Sequence, residues 1–127
     1  MSLLYSLIES PTHPDFSQLY KELGLKEIKI NSHRKAIKLL KRDPPDWVVA
    51  EFFYGFGNNY AGVIISNLDV FLHSLQKYAP KASVVVFAPP QDYEYVNELT
   101  SRFKIFAVLK SPVEKNLLEK ILRKKID

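Results

Sequence analysis

The segment PDWVVAE, at residues 45–51, decides the fold that this sequence predicts. Its apolar residues follow one another without the alternation of a strand that has one wet face, and such a run is typical of a parallel strand covered by helices on both faces. Prolines precede the run, and a segment rich in glycine and asparagine follows it. We therefore predict a central strand over residues 47–53.

Shorter apolar and β-branched segments on either side of this run predict further strands. Residues 3–8 end at a proline-containing turn, and residues 28–30 are typical of a short edge strand. Residues 83–88 and 105–109 predict the fourth and fifth strands.

Apolar residues at three- and four-residue steps predict a helix after each strand. The predicted helices are residues 14–23, the segment after an Asn31 or Ser32 N-cap, residues 68–78, residues 92–103 and the C-terminal segment. The first of them has Pro14 at its first helical position and Gly24 just beyond its end.

The last helix has the clearest sequence signals for its N-terminus. We predict Ser111 as its N-cap, Pro112 as its first helical residue and Glu114 as the capping-box partner of Ser111. The predicted buried stripe of this helix is Leu117, Leu118, Ile121 and Leu122.

Alternation of strands and helices implies a parallel sheet with helices on both faces. The predicted fold class is α/β, a doubly wound five-stranded parallel sheet of the flavodoxin-like, three-layer α/β/α kind. A chain of 127 residues with 46% hydrophobic residues is expected to form one domain over residues 1–127.

Composition excludes several classes of function. The sequence has no cysteine, which removes disulfides and thiol chemistry. No apolar segment approaches the ~20 residues that a membrane-spanning helix needs, and no signal peptide is recognisable at the N-terminus. We expect a cytoplasmic protein with no membrane partner.

Basic residues concentrate on the second and fifth predicted helices, and the formal net charge is +4. Their simplest interpretation is solvated helix faces, because no aromatic stacking platform accompanies them. This interpretation disfavours a nucleic-acid partner. The residues concerned are Arg34, Lys35, Lys38, Lys41 and Arg42, and Lys115, Lys120, Arg123, Lys124 and Lys125.

Residues 45–51 resemble the stretch of response-regulator receiver domains that runs from Pro-Asp through apolar residues to the phospho-accepting aspartate, with Glu51 at the acceptor position. Residues 109–112, Leu-Lys-Ser-Pro, are similar to the family's strand-five Lys-Pro with one residue inserted, and Lys110 matches the family's lysine. Glu9 and Ser10 resemble the acidic pair that ends strand one. The resemblance covers essentially the whole chain in order and implies a receiver-like fold.

The departures from this family imply that its phosphorylation chemistry is degenerate. Receiver chemistry needs an aspartate nucleophile, carboxylates for a magnesium ion, and a hydroxyl and a lysine for the phosphoryl oxygens. Here Glu51 lengthens the acceptor, Ser10 lacks a carboxylate, and Ala88 stands where the family has Ser or Thr. Ala107 replaces the usual strand-five aromatic. We predict no intact catalytic residue, no cofactor, and at most weak magnesium binding at Glu9 and Glu51.

Two interpretations of Glu51 remain open at this point. Its carboxylate could reach toward Lys110 and mimic a phospho-aspartate, or the two residues could form an ordinary, partly buried ion pair. The histidines His13, His33 and His73 have no paired metal-ligand spacing and predict no metal site.

Two sets of residues are candidates for contact with a partner. Residues 53–60 form an aromatic loop that looks longer than in receivers, and Tyr54, Phe56 and Tyr60 either contact a partner or fold back as core. The resemblance also implies docking through helix four, strand five and helix five, where the candidates are Tyr93, Glu94, Phe106 and Lys115.

The leading functional hypothesis is a phosphorylation-independent protein-interaction module in signal transduction, and not an enzyme. Its partner would be a signalling kinase, an output domain, another regulator, or a second copy docked through that same face. The alternatives are an atypical phospho-accepting response regulator and a small-ligand-binding flavodoxin-like domain.

Overall fold

A computed structural model describes residues 2–54 and 66–126. Its strands form one parallel sheet in the order β2-β1-β3-β4-β5. The strands are β1 (Ser2–Leu7), β2 (Leu25–Lys29), β3 (Trp47–Glu51), β4 (Ser83–Ala88) and β5 (Ala107–Lys110). The helices are α1 (Ser17–Glu22), α2 (His33–Arg42), α3 (Asp69–Tyr78), α4 (Tyr93–Arg102) and α5 (Lys115–Ile126). This order confirms the predicted doubly wound, flavodoxin-like sheet.

Helices cover both faces of the sheet, and β3 contributes to both layers. Its alternate residues Val48 and Ala50 belong to the cluster formed with α2, α3 and α4. Trp47 and Val49 belong to the cluster formed with α1 and α5. Because both faces of β3 are buried, the strand needs apolar residues throughout, which is why residues 47–50 lack alternation.

The edge strands differ from their predicted bounds. β2 begins at Leu25, three residues before the predicted start at 28, and pairs with β1 through Lys29. Polar side chains at positions 26 and 27 hide this strand from a hydrophobic pattern: Lys26 is exposed, and the Glu27 carboxylate, on the opposite face, accepts the Ser17 hydroxyl. β5 begins two residues later than the predicted 105–109 and ends one residue later, on Lys110.

The first helix begins at Ser17, so the prediction of Pro14 as its first residue is wrong. The Asp15 carboxylate accepts the Ser17 N–H at 2.9 Å, and the Ser10 carbonyl accepts the His13 N–H at 3.2 Å. These local bonds hold residues 10–16 in turns. The N-cap prediction for α2 is confirmed, since Ser32 Oγ accepts the Lys35 N–H at 3.4 Å.

The last helix begins at Lys115, so Ser111 is not its N-cap and Pro112 is not helical. The Ser111 N–H instead donates to the Ala88 carbonyl at 2.9 Å and prolongs the pairing of β5 with β4. The Glu114 carbonyl accepts the Leu118 N–H at 3.1 Å. Leu118 and Leu122 are buried as predicted, whereas Leu117 is 44% exposed and lies outside the buried stripe.

The described helices are shorter than the ~20 residues that a membrane-spanning helix needs. The longest helix in the described ranges is α5, with 12 residues. No helix of the described residues is both long and apolar enough to cross a membrane.

Candidate functional site

The candidate site lies where the parallel strands end, and Glu51 is its central side chain. Glu51 is the last residue of β3 and is only 8% exposed. Its Oε1 atom accepts the backbone N–H of Glu9 at 2.7 Å and that of Ser10 at 2.9 Å. One carboxylate oxygen therefore ties the end of β3 to the chain that leaves β1, and charge-assisted bonds of this kind are stronger than neutral ones.

Lys110 is not part of this arrangement. Its amine lies over the ring of Tyr93, with Nζ at 5.3 Å from the ring centroid. Among the described residues, Glu51 and Lys110 form no ion pair within 4.0 Å. The structure thus brings Glu9, Ser10 and Glu51 together and leaves the predicted partner of Glu51 elsewhere.

Ala88 is the last residue of β4, the strand that pairs with β3 on the side away from β1. It is completely buried at the end of β4, and its carbonyl accepts the Ser111 N–H. A methyl group at this position offers neither a donor nor an acceptor to a phosphoryl oxygen. Ala107, in place of the strand-five aromatic, is partly buried against the α1–α5 layer.

The residues present do not fit a magnesium ion. One oxygen of Glu51 is committed to two N–H groups, and Ser10 supplies no carboxylate. The Glu9 Oε1 atom lies 3.4 Å from His33 Nδ1. Magnesium needs near-ideal octahedral oxygen geometry, and no group of three or more acidic, histidine or cysteine ligands exists within residues 2–54 and 66–126.

His33 stays mainly neutral in this setting. Burial lowers the pKa of its imidazole, and the neighbouring Glu9 carboxylate opposes that shift without reversing it. Its contact with Glu9 is consequently a polar contact more than a full ion pair at neutral pH.

Asn67 is a site residue that the sequence analysis missed. Its Oδ1 atom accepts the Phe53 N–H at 2.7 Å, and its Nδ2 group donates to the Glu51 carbonyl at 2.9 Å. One buried amide thereby satisfies two backbone groups at the end of β3, the Glu51 carbonyl and the Phe53 N–H.

Asp69 was missed as well, and it anchors the segment that carries Asn67. Its Oδ1 atom accepts from the Ser66 N–H at 2.7 Å and from the Ser66 hydroxyl at 2.9 Å. The spacing of Ser66 and Asp69 is that of a capping box ahead of α3. This spacing was the signal that could have identified the segment.

A cavity of about 350 Å³ opens beside Glu51. Phenylalanines form its apolar part, hydroxyl groups lie on its polar part, and no lysine or arginine of the described residues lines it. The lining residues are Ser10, Thr12, His13, Pro14, Glu51, Phe52, Phe53, Phe87, Pro89, Ser111 and Pro112. Such a lining disfavours a phosphate and suits a neutral or cationic molecule.

The described part of the aromatic loop is its first two residues, Phe53 and Tyr54. Tyr54 is 45% exposed and stacks on Tyr95 of α4, with ring centroids 3.6 Å apart. It does not fold into the core. The other two predicted contact residues of this loop, Phe56 and Tyr60, lie outside the described residues.

The remaining candidate contact residues lie near the two ends of β5. Tyr93 begins α4 and lies under Lys110 at the carboxyl end of the strand. Phe106 precedes the strand, is 38% exposed, and packs edge-on against Trp47 at 5.7 Å, with Lys125 Nζ at 5.3 Å. Glu94 and Lys115 are exposed. These side chains are therefore accessible without any change of the fold.

Comparison with solved structures identifies the fold. The chain is similar to a response-regulator receiver domain protein from Clostridium thermocellum, at 15% identity and a TM-score of 0.75, over 99% of this chain and 94% of that one. It is also similar to the receiver domain of a sensor histidine kinase from Pseudomonas aeruginosa, described with a magnesium ion coordinated in its active-site cleft. That match has 11% identity and a TM-score of 0.68, and covers 98% of this chain and 97% of the other.

A third similar structure is a redox sensor of the streptococci, from a family described as evolved from two-component response regulators. It shares 14% identity, with a TM-score of 0.72, over 99% of this chain and 51% of that chain. No protein-family model and no curated protein matches the sequence. These likenesses confirm the receiver fold that the sequence predicted.

Proposed function

We propose that this chain is a receiver-like module that binds a protein partner in signal transduction without being phosphorylated. The partner would be a signalling kinase, an output domain or another regulator. The observation that carries the proposal is the position of the Glu51 carboxylate, which serves as an internal hydrogen-bond acceptor at the acceptor position of the fold.

Phosphorylation independence is supported by the groups around Glu51. A phosphoryl acceptor needs a free carboxylate oxygen, a metal and a cation to balance the developing charge. Glu51 is buried and its Oε1 atom accepts two backbone N–H groups, the neighbouring oxygen ligands do not fit magnesium, and the Lys110 amine lies over Tyr93. These observations disfavour phosphoryl transfer to Glu51.

The proposed contact surface is the α4-β5-α5 face, which consists of α4, β5 and α5. β5 is an edge strand of the described sheet. One side of its backbone is hydrogen-bonded to β4, and the other side has no strand partner. Phe106 and Lys115 add an exposed ring and a charge to this edge. An aromatic beside an open strand edge is a feature of contact surfaces.

The cavity beside Glu51 supports a second candidate function, the binding of a small ligand. Its volume of about 350 Å³ is within the range of small-molecule pockets. It lies at the carboxyl ends of the strands, where doubly wound sheets hold ligands.

Site-specific photo-cross-linking tests the proposed partner surface. We expect a photo-reactive amino acid at Glu94, on α4, to give a discrete cross-linked species in a lysate of the source cells. A matched probe at Gln18, an exposed residue of α1, is expected to give none. Both probes replace exposed side chains, so both variants should fold.

Treatment with acetyl phosphate and magnesium separates this proposal from an ordinary response regulator. The Glu94 cross-link should have the same yield with and without the phosphodonor. A cross-link that forms only after the treatment, or one equally strong from Gln18, would contradict the proposal.

A further inference from the structure

A groove of about 440 Å³ lies on the opposite edge of the sheet from β5. It runs from the end of β2 to the outer face of α2. The lining residues are Lys29, Ile30, Asn31, Lys35, Lys38, Leu39 and Arg42. This surface, named here the α2 groove, shares no lining residue with the cavity beside Glu51.

The spacing of the α2 residues explains the groove's charge. Lys35, Lys38, Leu39 and Arg42 are at positions i, i+3, i+4 and i+7 and share one helix face. Ala36 and Leu40 are buried under α2. This face therefore carries three exposed cations, Lys35, Lys38 and Arg42, beside the partly buried Leu39.

Acidic side chains of the described residues neutralise only part of the positive charge on this face. Lys29 pairs with Asp15 at 3.5 Å, and both side chains are largely exposed. Arg42 pairs with the adjacent Asp43 at 3.1 Å. Lys35 and Lys38 have no ion-pair partner among the described residues. Exposed ion pairs of this kind contribute little to stability, so an acidic side chain of a binding partner can replace the internal one.

Apolar and backbone groups accompany the cations. Ile30 is buried, and Leu39 is partly buried where it packs against the core. Among the described strands β2 pairs only with β1, and its last residue, Lys29, lines the groove. The groove thus combines positive charge and an apolar floor beside the end of an edge strand, which suits an extended acidic peptide.

We infer that the α2 groove binds an acidic, extended peptide segment of a partner protein, with an apolar side chain placed between the lysines on Ile30 and Leu39. Carboxylates of the segment would lie at Lys35, Lys38 and Arg42. Nucleic acid is the less favoured occupant because none of the described residues that line the groove has an aromatic ring to stack on a base. This site is independent of the proposed α4-β5-α5 face.

Fluorescence anisotropy on the full chain tests the inference with a defined probe. The probe is a labelled peptide of alternating glutamate and valine, about ten residues long, which is enough to follow a strand edge. We expect saturable binding that K35E/K38E weakens by at least about tenfold, because attraction at two positions becomes repulsion. A peptide with glycine in place of valine should also bind more weakly, because it lacks the apolar anchor.

A matched variant, K21E/K81E, controls for net charge. It makes the same charge change at exposed positions of α1 and of the turn before β4, outside both proposed contact surfaces, and we expect it to change the affinity by less than about twofold. The inference is overturned if both variants lose affinity equally, since binding would then follow net charge alone. It is also overturned if the valine and glycine peptides bind alike, or if a labelled oligo-dT binds more tightly than the peptide at the same salt.

Discussion

Replacing Glu51 by alanine is expected to lower the free energy of unfolding by about 2–4 kcal/mol, since hydrogen bonds to charged groups contribute about 1.5–3 kcal/mol each and two are lost. The N–H groups of Glu9 and Ser10 would lose their acceptor, and the cost is moderated because both bonds are only partly buried. Chemical denaturation monitored by circular dichroism measures the change.

Two further variants separate the hydrogen bonds from other effects. Glu51→Gln keeps an acceptor oxygen and should cost about half as much as Glu51→Ala, because only the charge assistance is lost. Glu98→Ala removes an exposed glutamate of α4 and should change stability by about 0.5 kcal/mol or less. If Glu51→Ala costs no more than Glu98→Ala, the carboxylate does not hold the turn after β1.

Asn67→Ala is expected to lower the free energy of unfolding by about 2–4 kcal/mol, because each buried polar group left without a partner costs about 1–3 kcal/mol. The groups affected are the Phe53 N–H and the Glu51 carbonyl. Asn97→Ala, on the exposed face of α4, is the matched control. Equal thermal and chemical stability of the two variants would show that the Asn67 amide does not secure the end of β3.

Glu51 and Asn67 act on the same strand end, and their contributions should be coupled. The double variant Glu51→Ala/Asn67→Ala is expected to lose less than the sum of the single losses, because residues that share one hydrogen-bonded segment are non-additive. Such coupling would identify both side chains as structural supports of the end of β3.

The central strands were predictable from the sequence because burial on both faces fixes their composition. The predicted bounds of β4 match the structure, and β3 ends two residues earlier than predicted. The first residues of the edge strand β2 were missed because Lys26 is exposed and Glu27 only partly buried, so neither has to be apolar. A hydrophobic pattern in the sequence reflects burial, so it does not reveal the exposed part of a strand.

The start of α5 was mispredicted for a different reason. Ser111 and Pro112 have the local chemistry of a helix N-terminus, but the Ser111 N–H pairs with the Ala88 carbonyl across the sheet. A long-range backbone bond decided the conformation, and no local rule contains it. Tertiary contacts of this kind regularly override local preference.

The sequence indicated where the candidate residues lie along the strands, but not how their side chains are arranged. The resemblance located Glu9, Ser10, Glu51, Ala88 and Lys110, and all are near the carboxyl ends of their strands. The direction of the Glu51 carboxylate and the stacking of Lys110 on Tyr93 depend on side-chain rotamers, which spacing does not specify. Asn67 bonds to Phe53, a residue 14 positions away, so only the folded chain reveals its role.

The most direct test of phosphorylation independence is a two-dimensional amide NMR spectrum of the labelled protein, recorded alone, with magnesium, and with magnesium plus beryllium fluoride as a phosphoryl mimic. We expect no saturable shift of the amide signals of Glu9, Glu51, Ala88 and Lys110, because Glu51 is engaged internally and the donors do not fit magnesium. Saturable shifts of these signals together with those of β5 would contradict the proposal and identify a working phosphorylation switch.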